Sequence, residues 1–157
     1  MDRLLRIAVT SVIDVPNEAV WSVLGNFGEE HRWTHSVTHC TRDTADVRVG
    51  TVRSCRLPRP LMGRTGVRET LIEFEHGCAL AYCLEGAAGP FAFASSRWLT
   101  TSTIDHSTKV TVEGSFEPKN AAIKYFVWPV VKLMLRPTIK SVLRELAAFL
   151  ISQRKMG

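Results

Sequence analysis

The alternation of apolar and polar positions at the start of the chain predicts a strand followed by a helix. Residues 3–14 alternate loosely and are rich in β-branched side chains, which is typical of a strand. Pro16 and Glu18 then favour the first turn of a helix, and residues 19–24 place apolar side chains at helical spacing. We expect a second, shorter helical stretch at residues 29–33.

The middle of the chain changes to short strands separated by turn residues. Glycine, proline or small polar residues mark most of the breaks between these strands. Because the connections are short, consecutive strands are expected to pair antiparallel, since parallel pairs need long crossovers. The predicted strands cover residues 36–42, 47–57, 66–75, 79–85, 92–104 and 109–117.

The last part of the chain has the spacing of one long helix. Asn120 is suited to cap its first turn, and apolar residues keep helical spacing to about residue 154. Pro129 and Pro137 fall inside this segment, and an interior proline removes a backbone hydrogen bond, so a bent or two-part helix is expected. The order of elements predicts an α+β fold in which a curved sheet covers the helix and leaves a cavity between them.

Length and composition restrict the class of protein. The 157 residues suit a single domain covering the whole chain, and 45% apolar with 22% charged residues argues against disorder. No apolar run approaches the roughly 18 residues of a membrane span, and no secretory signal is recognised, so we expect a soluble cytoplasmic protein. The four cysteines lack metal-binding spacing, and we expect four reduced thiols.

Positive charge is concentrated near the C-terminus. The net charge of the chain is +5, whereas residues 119–157 contain eight basic residues and one acidic residue. The simplest interpretation is the solvated face of an amphipathic helix, and the alternatives are a surface for anionic lipid or for an acidic partner. No nucleic-acid-binding motif is present, and we expect no nucleic-acid partner.

Several short motifs occur along the chain in a recognisable order and spacing. They are Val15-Pro16-x-x-x-Val20-Trp21-x-Val23-Leu24-x-Asn26-Phe27-Gly28, Trp33, Gly50-x-Val52-Arg53, Glu69, Tyr82 and Leu143-x-x-Leu146. From about residue 5 to residue 153, the chain thereby resembles the polyketide cyclase/dehydrase group of the START-like (SRPBCC) superfamily. The resemblance implies a helix-grip fold, as in the birch-pollen allergen, with a seven-stranded antiparallel sheet around a long C-terminal helix and two short helices after strand 1. It also implies a deep ligand cavity, which members use for sterols, lipids, hormones or polyketides.

Three polar residues on predicted strands are candidates for catalysis. A Glu69 carboxylate beside Arg53 would stay ionised or share a proton, and Tyr82 could polarise a ligand carbonyl, as an aldol-type cyclisation or dehydration requires. The alternative is a structural cross-strand ion pair and a tyrosine at the edge of the core. Strand alternation predicts that Tyr82 points inward. The apolar neighbours of Glu69 occupy both faces of its strand, so alternation does not assign Glu69 to one face. A bulge near Glu69 would account for both sets of apolar neighbours.

Seven further residues are candidates for ligand contact in a mostly apolar cavity. Arg97 and Trp98 are adjacent on one strand, so at most one of them needs to face the cavity. The apolar segment 126–135 would pack between sheet and helix, with a dimer contact as an addition, or would form a gate or a membrane-contacting patch. The candidates are Trp33, Arg97, Trp98, Phe93, Phe116, Phe126 and Met134.

Three histidines recur at intervals of four residues. On one continuous helix, His31, His35 and His39 would present three imidazoles that suit Zn²⁺. The β-like residues between them make such a helix doubtful, and we expect histidines at the surface or the cavity rim, with no metal and no cofactor.

These observations lead to three hypotheses from different classes. The first is binding or transport of a hydrophobic small molecule, such as a lipid, sterol or polyketide. The second is a cyclase, aromatase or dehydratase that uses the same cavity. The third is an interaction module, as a monomer or a homodimer, that acts through the basic C-terminal helix on another protein or by transient contact with an anionic membrane.

Overall fold

Seven strands form one antiparallel sheet in the order β1-β7-β6-β5-β4-β3-β2. The computed structural model describes residues 3–61 and 63–157. Consecutive strands from β2 to β7 are neighbours because their connections are short, and β1 pairs with β7 at the other edge. The strands are β1 (Leu5–Ile13), β2 (His39–Arg42), β3 (Val52–Leu61), β4 (Arg64–Glu75), β5 (Ala79–Leu84), β6 (Phe91–Ser102) and β7 (Thr108–Pro118).

Two short helical elements precede β2, and one long helix follows β7. Helix α1 spans Asn17–Leu24, a 3₁₀ turn spans Glu30–Arg32, and a π-helical turn, Ile123–Val127, leads into helix α2, Trp128–Met156. The helix-grip fold predicted from the sequence is therefore confirmed. Among the described residues, no helix combines the length and apolar character that crossing a bilayer requires.

The start of the C-terminal helix agrees with the sequence-based prediction. The Asn120 Oδ1 atom accepts a hydrogen bond of 3.1 Å from the Ile123 amide, which confirms the predicted cap. Pro129 lies in the first turn of α2, directly after the π-helical turn, and Pro137 lies inside the helix. The helix therefore consists of two parts with different hydrogen-bond spacing.

The core lies between the sheet, α1 and the C-terminal half of α2. Leu143, Leu146 and Leu150 of α2 are at most 3% exposed. Trp21 of α1 is buried, and its indole Nε1 donates a hydrogen bond of 2.6 Å to the hydroxyl of Thr100 on β6. This bond fixes α1 against the sheet.

The N-terminal half of α2 does not pack as core, contrary to the simpler expectation for segment 126–135. Phe126, Leu133 and Met134 are 79%, 77% and 67% exposed. Trp128 is the residue of this region that reaches an aromatic cluster on the sheet, where it contacts Phe116 with ring centroids 5.4 Å apart. The prediction of a helix from the apolar spacing was correct, but one side of this half contacts the sheet through Trp128 and the other side is exposed.

A register shift in β4 resolves the conflict around Glu69. The pairing of β4 with β5 shifts between Leu71 and Glu73, which places Ile72 in a bulge where its side chain is half exposed. Glu69 and Leu71 consequently lie on the inner face, as the bulge hypothesis predicted.

The prediction of four reduced thiols is wrong for two of them. Cys40 on β2 and Cys55 on β3 lie opposite each other in the sheet and form a disulfide. Strand register decides which residues face each other, and cysteine spacing along the chain does not reveal that register. Cys78 and Cys83 are free thiols.

Candidate functional site

A cavity of about 320 Å³ lies between the sheet, the segment after α1 and helix α2. Its walls are mainly aliphatic, with Leu80 and Val112 from the sheet and Ile139 and Val142 from α2. Five of the residues predicted for catalysis or ligand contact line it, namely Arg53, Glu69, Tyr82, Trp33 and Trp98. The sequence therefore identified three polar residues of the cavity wall, Arg53, Glu69 and Tyr82.

Arg53 is the centre of the polar group in this cavity. Its side chain is buried, and the Nη2 atom lies 3.0 Å from Glu69 Oε2 while Nη1 forms an ion pair with Glu30 Oε1. The guanidinium lies against two aromatic rings, with Cζ 4.3 Å from the ring centroid of Phe27 and 4.1 Å from that of Tyr82. Ion pairs on both terminal nitrogens and ring contacts hold the cation in one position.

Strand register and one glycine bring the two carboxylates to Arg53. Arg53 and Glu69 are paired residues of β3 and β4, so they share the inner face of the sheet. Glu30 begins the 3₁₀ turn, and its Oε2 atom accepts a hydrogen bond of 2.9 Å from the Gly28 amide. Gly28 has a φ of 102°, a conformation that favours glycine and allows the chain to turn back towards Arg53.

Arg53 stays protonated in spite of its burial. Desolvation alone lowers the pKa of Arg53, but the negative charges of Glu69 and Glu30, together with Tyr82, raise this pKa above its ordinary value. The buried Nε–H group has no acceptor among the described residues. The cavity is therefore bordered by a permanent cation whose buried Nε–H group is unsatisfied.

Tyr82 offers a second donor at the same cavity. Its hydroxyl oxygen accepts a hydrogen bond of 3.3 Å from Trp98 Nε1. No described residue accepts the hydroxyl proton, and the Oε1 atom of Glu69 receives no hydrogen bond from the described residues. A proton donor and a carboxylate oxygen are therefore both available to a molecule in the cavity.

A smaller cavity of about 190 Å³ adjoins the first. Both cavities are lined by Glu69, Tyr82 and Ser96, which therefore form the boundary between them. Phe116, predicted to contact a ligand, lines this second cavity and not the first.

Arg97 and Phe93, both expected at the cavity, lie elsewhere on β6. Arg97 points to the outer face, where its Nε and Nη2 atoms donate to the two carboxylate oxygens of Glu73 at 2.9 Å. Alternation along β6 gives the inward position to Trp98. Phe93 lines neither cavity, because the pairing of β6 with β7 shifts between Phe91 and Phe93 and leaves Phe91 buried.

Phe126 and Met134 were also expected at the cavity; Phe126 is exposed on the π-helical turn and Met134 is exposed on α2 instead. The helix residues that reach the larger cavity begin one turn later, with Thr138, Ile139 and Val142. Helical periodicity identified the segment, but it could not show where along the helix the sheet begins to cover it.

Glu30 and Phe27 complete the site and were missed as contacts of Arg53. Both lie in the stretch between α1 and β2, far from Arg53 in sequence. Their approach depends on how this stretch folds back over the sheet. The acidic pair at residues 29 and 30 was visible, but nothing in the pattern connected it to an arginine on β3.

The three histidines do not form the array expected of one continuous helix. His35 Nδ1 lies 2.6 Å from Glu145 Oε2 on α2, whereas the rings of His31 and His39 contact each other with centroids 5.5 Å apart. Among the described residues, the one group of three metal-type ligands comprises Glu30, Cys40 and Cys55, with ligand atoms within 4.8 Å of one another. The two sulfurs of this group are bonded to each other.

Comparison with known proteins agrees with this architecture. The structure of a protein from Nitrosospira multiformis, determined in a structural genomics programme, superposes with a TM-score of 0.69 at 22% sequence identity and covers 96% of this chain and 99% of that one. This likeness supports the fold alone. No curated protein matches the chain in sequence. The family model described as polyketide cyclase/dehydrase and lipid transport matches residues 5–150, and the chain therefore belongs to that family of START-like (SRPBCC) proteins.

Proposed function

We propose that the protein binds a small, mainly apolar molecule that carries a hydrogen-bonding oxygen. The observation that carries this proposal is a cavity with mainly apolar walls and a charged cluster centred on Arg53. Ligand cavities in proteins are typically about 300–1,000 Å³, mostly apolar, with few polar groups. At about 320 Å³ the larger cavity suits a compact ligand, and a longer one would extend past Tyr82 into the adjoining cavity.

The Tyr82 hydroxyl supports an oxygen on the ligand. A hydroxyl group that is shielded from water and has no acceptor costs about 1–3 kcal/mol, and a hydrocarbon beside Tyr82 would leave that cost in place. A carbonyl or hydroxyl oxygen that accepts from the Tyr82 hydroxyl would remove it. An oxygen-bearing ligand is therefore expected to bind more tightly than its hydrocarbon analogue.

Native mass spectrometry of the purified full chain, followed by solvent extraction, tests whether a molecule occupies the cavity. Binding is then measured through tryptophan fluorescence with a fatty acid, a sterol and an aromatic polyketide, because Trp33 and Trp98 line the cavity. A variant with Ile139→Trp, which fills the cavity, is expected to lose binding. A protein that is empty and binds none of the three classes would contradict the proposal.

Two glutamates of β4 provide a matched pair of variants for this test. Glu69→Gln changes a carboxylate inside the cavity, and Glu73→Gln changes one that is bonded to an arginine on the outer face. We expect Glu69→Gln to change affinity for an oxygen-bearing ligand by roughly tenfold, equivalent to about one charged hydrogen bond, and Glu73→Gln to leave it unchanged. Equal effects of the two variants would place the ligand outside this cavity.

Catalysis of the cyclase or dehydratase type is the second candidate, favoured by the available Glu69 oxygen and Tyr82 hydroxyl at one cavity. Glu69 would accept a proton from the carbon next to a ligand carbonyl, and Tyr82 would donate to the carbonyl oxygen. Tyr82→Phe keeps the ring against Arg53 and removes the hydroxyl, so product formation and binding are measured on the same variant. A loss of product from a linear poly-β-keto thioester that exceeds the loss of affinity would indicate an enzyme, and absence of any product from the unmodified protein would leave the carrier function.

A further inference from the structure

The π-helical turn and the N-terminal half of α2 carry an exposed apolar face. Phe126, Val130, Leu133 and Met134, which we call the outer face, are between 56% and 79% exposed. Val130, Leu133 and Met134 are spaced by three and four residues, so they lie on one side of the helix. Large apolar groups concentrated on one surface indicate a contact with something other than water.

The opposite side of this half of α2 packs against the sheet. Trp128, Val131 and Leu135 are half-buried, and the Trp128 ring contacts Phe91 and Phe116 of the sheet. The outer face therefore points away from the body of the protein. A rotation that buried it would expose this aromatic contact.

A line of cations borders the outer face. Lys132, Arg136 and Lys140 recur every four residues and share a shallow groove with Leu133 and the two prolines of α2. The sequence has no acidic residue between Glu117 and Glu145. Within the described part of the chain, no carboxylate lies within 4.0 Å of these three cations.

We propose that the outer face docks on the surface of an anionic lipid bilayer. Amphipathic helices that bind in the plane of a membrane combine an apolar face with lysine and arginine beside it. The apolar side chains would enter the acyl boundary, and the three cations would lie at the level of the headgroup phosphates. This contact does not depend on an occupied cavity, so it stands apart from the proposed function.

A second copy of the chain is a poorer occupant of the outer face. In a two-fold symmetric dimer the same surface meets itself, so the cations of both copies would come together. Because the segment contains no acidic residue, nothing on the face would neutralise them. An anionic bilayer supplies both the apolar phase and the opposite charge.

Co-sedimentation of the full chain with phosphatidylcholine vesicles, with and without one-third phosphatidylglycerol, tests the proposal. We expect binding to the anionic vesicles that weakens at high salt. Lys132→Glu with Arg136→Glu should lower the partition coefficient roughly 25-fold or more, at about fivefold for each cation near an anionic surface. Leu133→Ser with Met134→Ser should lower it roughly tenfold or more, because two inserted apolar side chains are lost. All four side chains are exposed, and circular dichroism verifies that the variants are folded.

A control variant makes the same kinds of change elsewhere. Ile104→Ser with Lys109→Glu alters a fully exposed apolar residue and an exposed lysine near the β6–β7 turn, and its binding should equal that of the unmodified protein. Equal loss in the control, or no binding to anionic vesicles, would overturn the proposal. A dimer in light scattering that Leu133→Ser with Met134→Ser dissociates, without vesicle binding, would assign the face to a second copy and also overturn it.

Discussion

Replacing Arg53 by methionine tests the polar group of the cavity most directly. Methionine keeps the aliphatic length of the side chain but removes the cation between Glu30 and Glu69. The two carboxylates are then left together in a largely buried position, with side chains only 16% and 13% exposed. A buried charge that loses its partner is among the most destabilising consequences of a single substitution.

The expected loss of stability is about 3 kcal/mol. Removing one partner of a buried ion pair costs about 3–5 kcal/mol, mainly because the other charge is left uncompensated. The lower end applies here, since the Gly28 amide still donates to Glu30 and the cavity gives both carboxylates some exposure. Lost contacts to the rings of Phe27 and Tyr82 add to the effect, and the desolvation of the guanidinium, which is no longer required, offsets them.

Urea unfolding followed by circular dichroism measures this loss. With an m value of roughly 2 kcal/mol/M, the midpoint should fall by about 1.5 M for Arg53→Met. Arg97→Met is the matched control, because its two hydrogen bonds to Glu73 lie on the exposed face and should contribute less than about 1 kcal/mol.

Adding Glu30→Gln and Glu69→Gln to Arg53→Met should restore at least half of the lost stability, because both uncompensated negative charges are then removed. A single variant as stable as Arg97→Met, or a triple variant no more stable than the single, would refute this account of the cavity.

Two further predictions concern the sheet. Reduction of the Cys40–Cys55 disulfide, which closes a 15-residue separation, should lower the free energy of unfolding by about 3 kcal/mol. Urea titrations with and without dithiothreitol measure this change, and a variant with both cysteines replaced by serine should not respond to the reductant. The hydrogen bond from Arg97 lowers the pKa of Glu73, so the stabilisation is present above about pH 4.5 and is lost as the pH falls below it. Because both side chains are exposed, Glu73→Gln should flatten the acid side of the stability profile by only a few tenths of a kcal/mol, and an effect above about 1 kcal/mol would contradict a surface pair.

The inner face of the sheet could be predicted because alternation along a strand is a local property. Tyr82 was assigned inward from its apolar neighbours at two-residue spacing, and the choice between Arg97 and Trp98 was reduced to one of the two. Even the bulge beyond Glu69 was indicated by a conflict of pattern within a single strand. Short connections also indicated antiparallel pairing of consecutive strands from β2 to β7, but they did not indicate the pairing of β1 with β7.

Contacts between distant segments could not be predicted in the same way. The pairing of Glu30 with Arg53 and that of Cys40 with Cys55 depend on how the stretch after α1 folds back and on the register of β2. Neither quantity leaves a periodic signal in the sequence. The exposure of Phe126 was missed for a related reason, because helical spacing of apolar residues is the same for a buried face as for one that meets another partner.

The two ends of α2 are buried to different extents, and this difference should be visible in amide hydrogen exchange. Amides around Leu143, Leu146 and Leu150 are covered by the core and should exchange only when the whole domain unfolds. Residues 128–137 contain two prolines and contact the aromatic cluster on the sheet through Trp128, so local opening there should cost less free energy. We therefore expect amides in this first part of the helix to exchange by local opening while the second part remains folded.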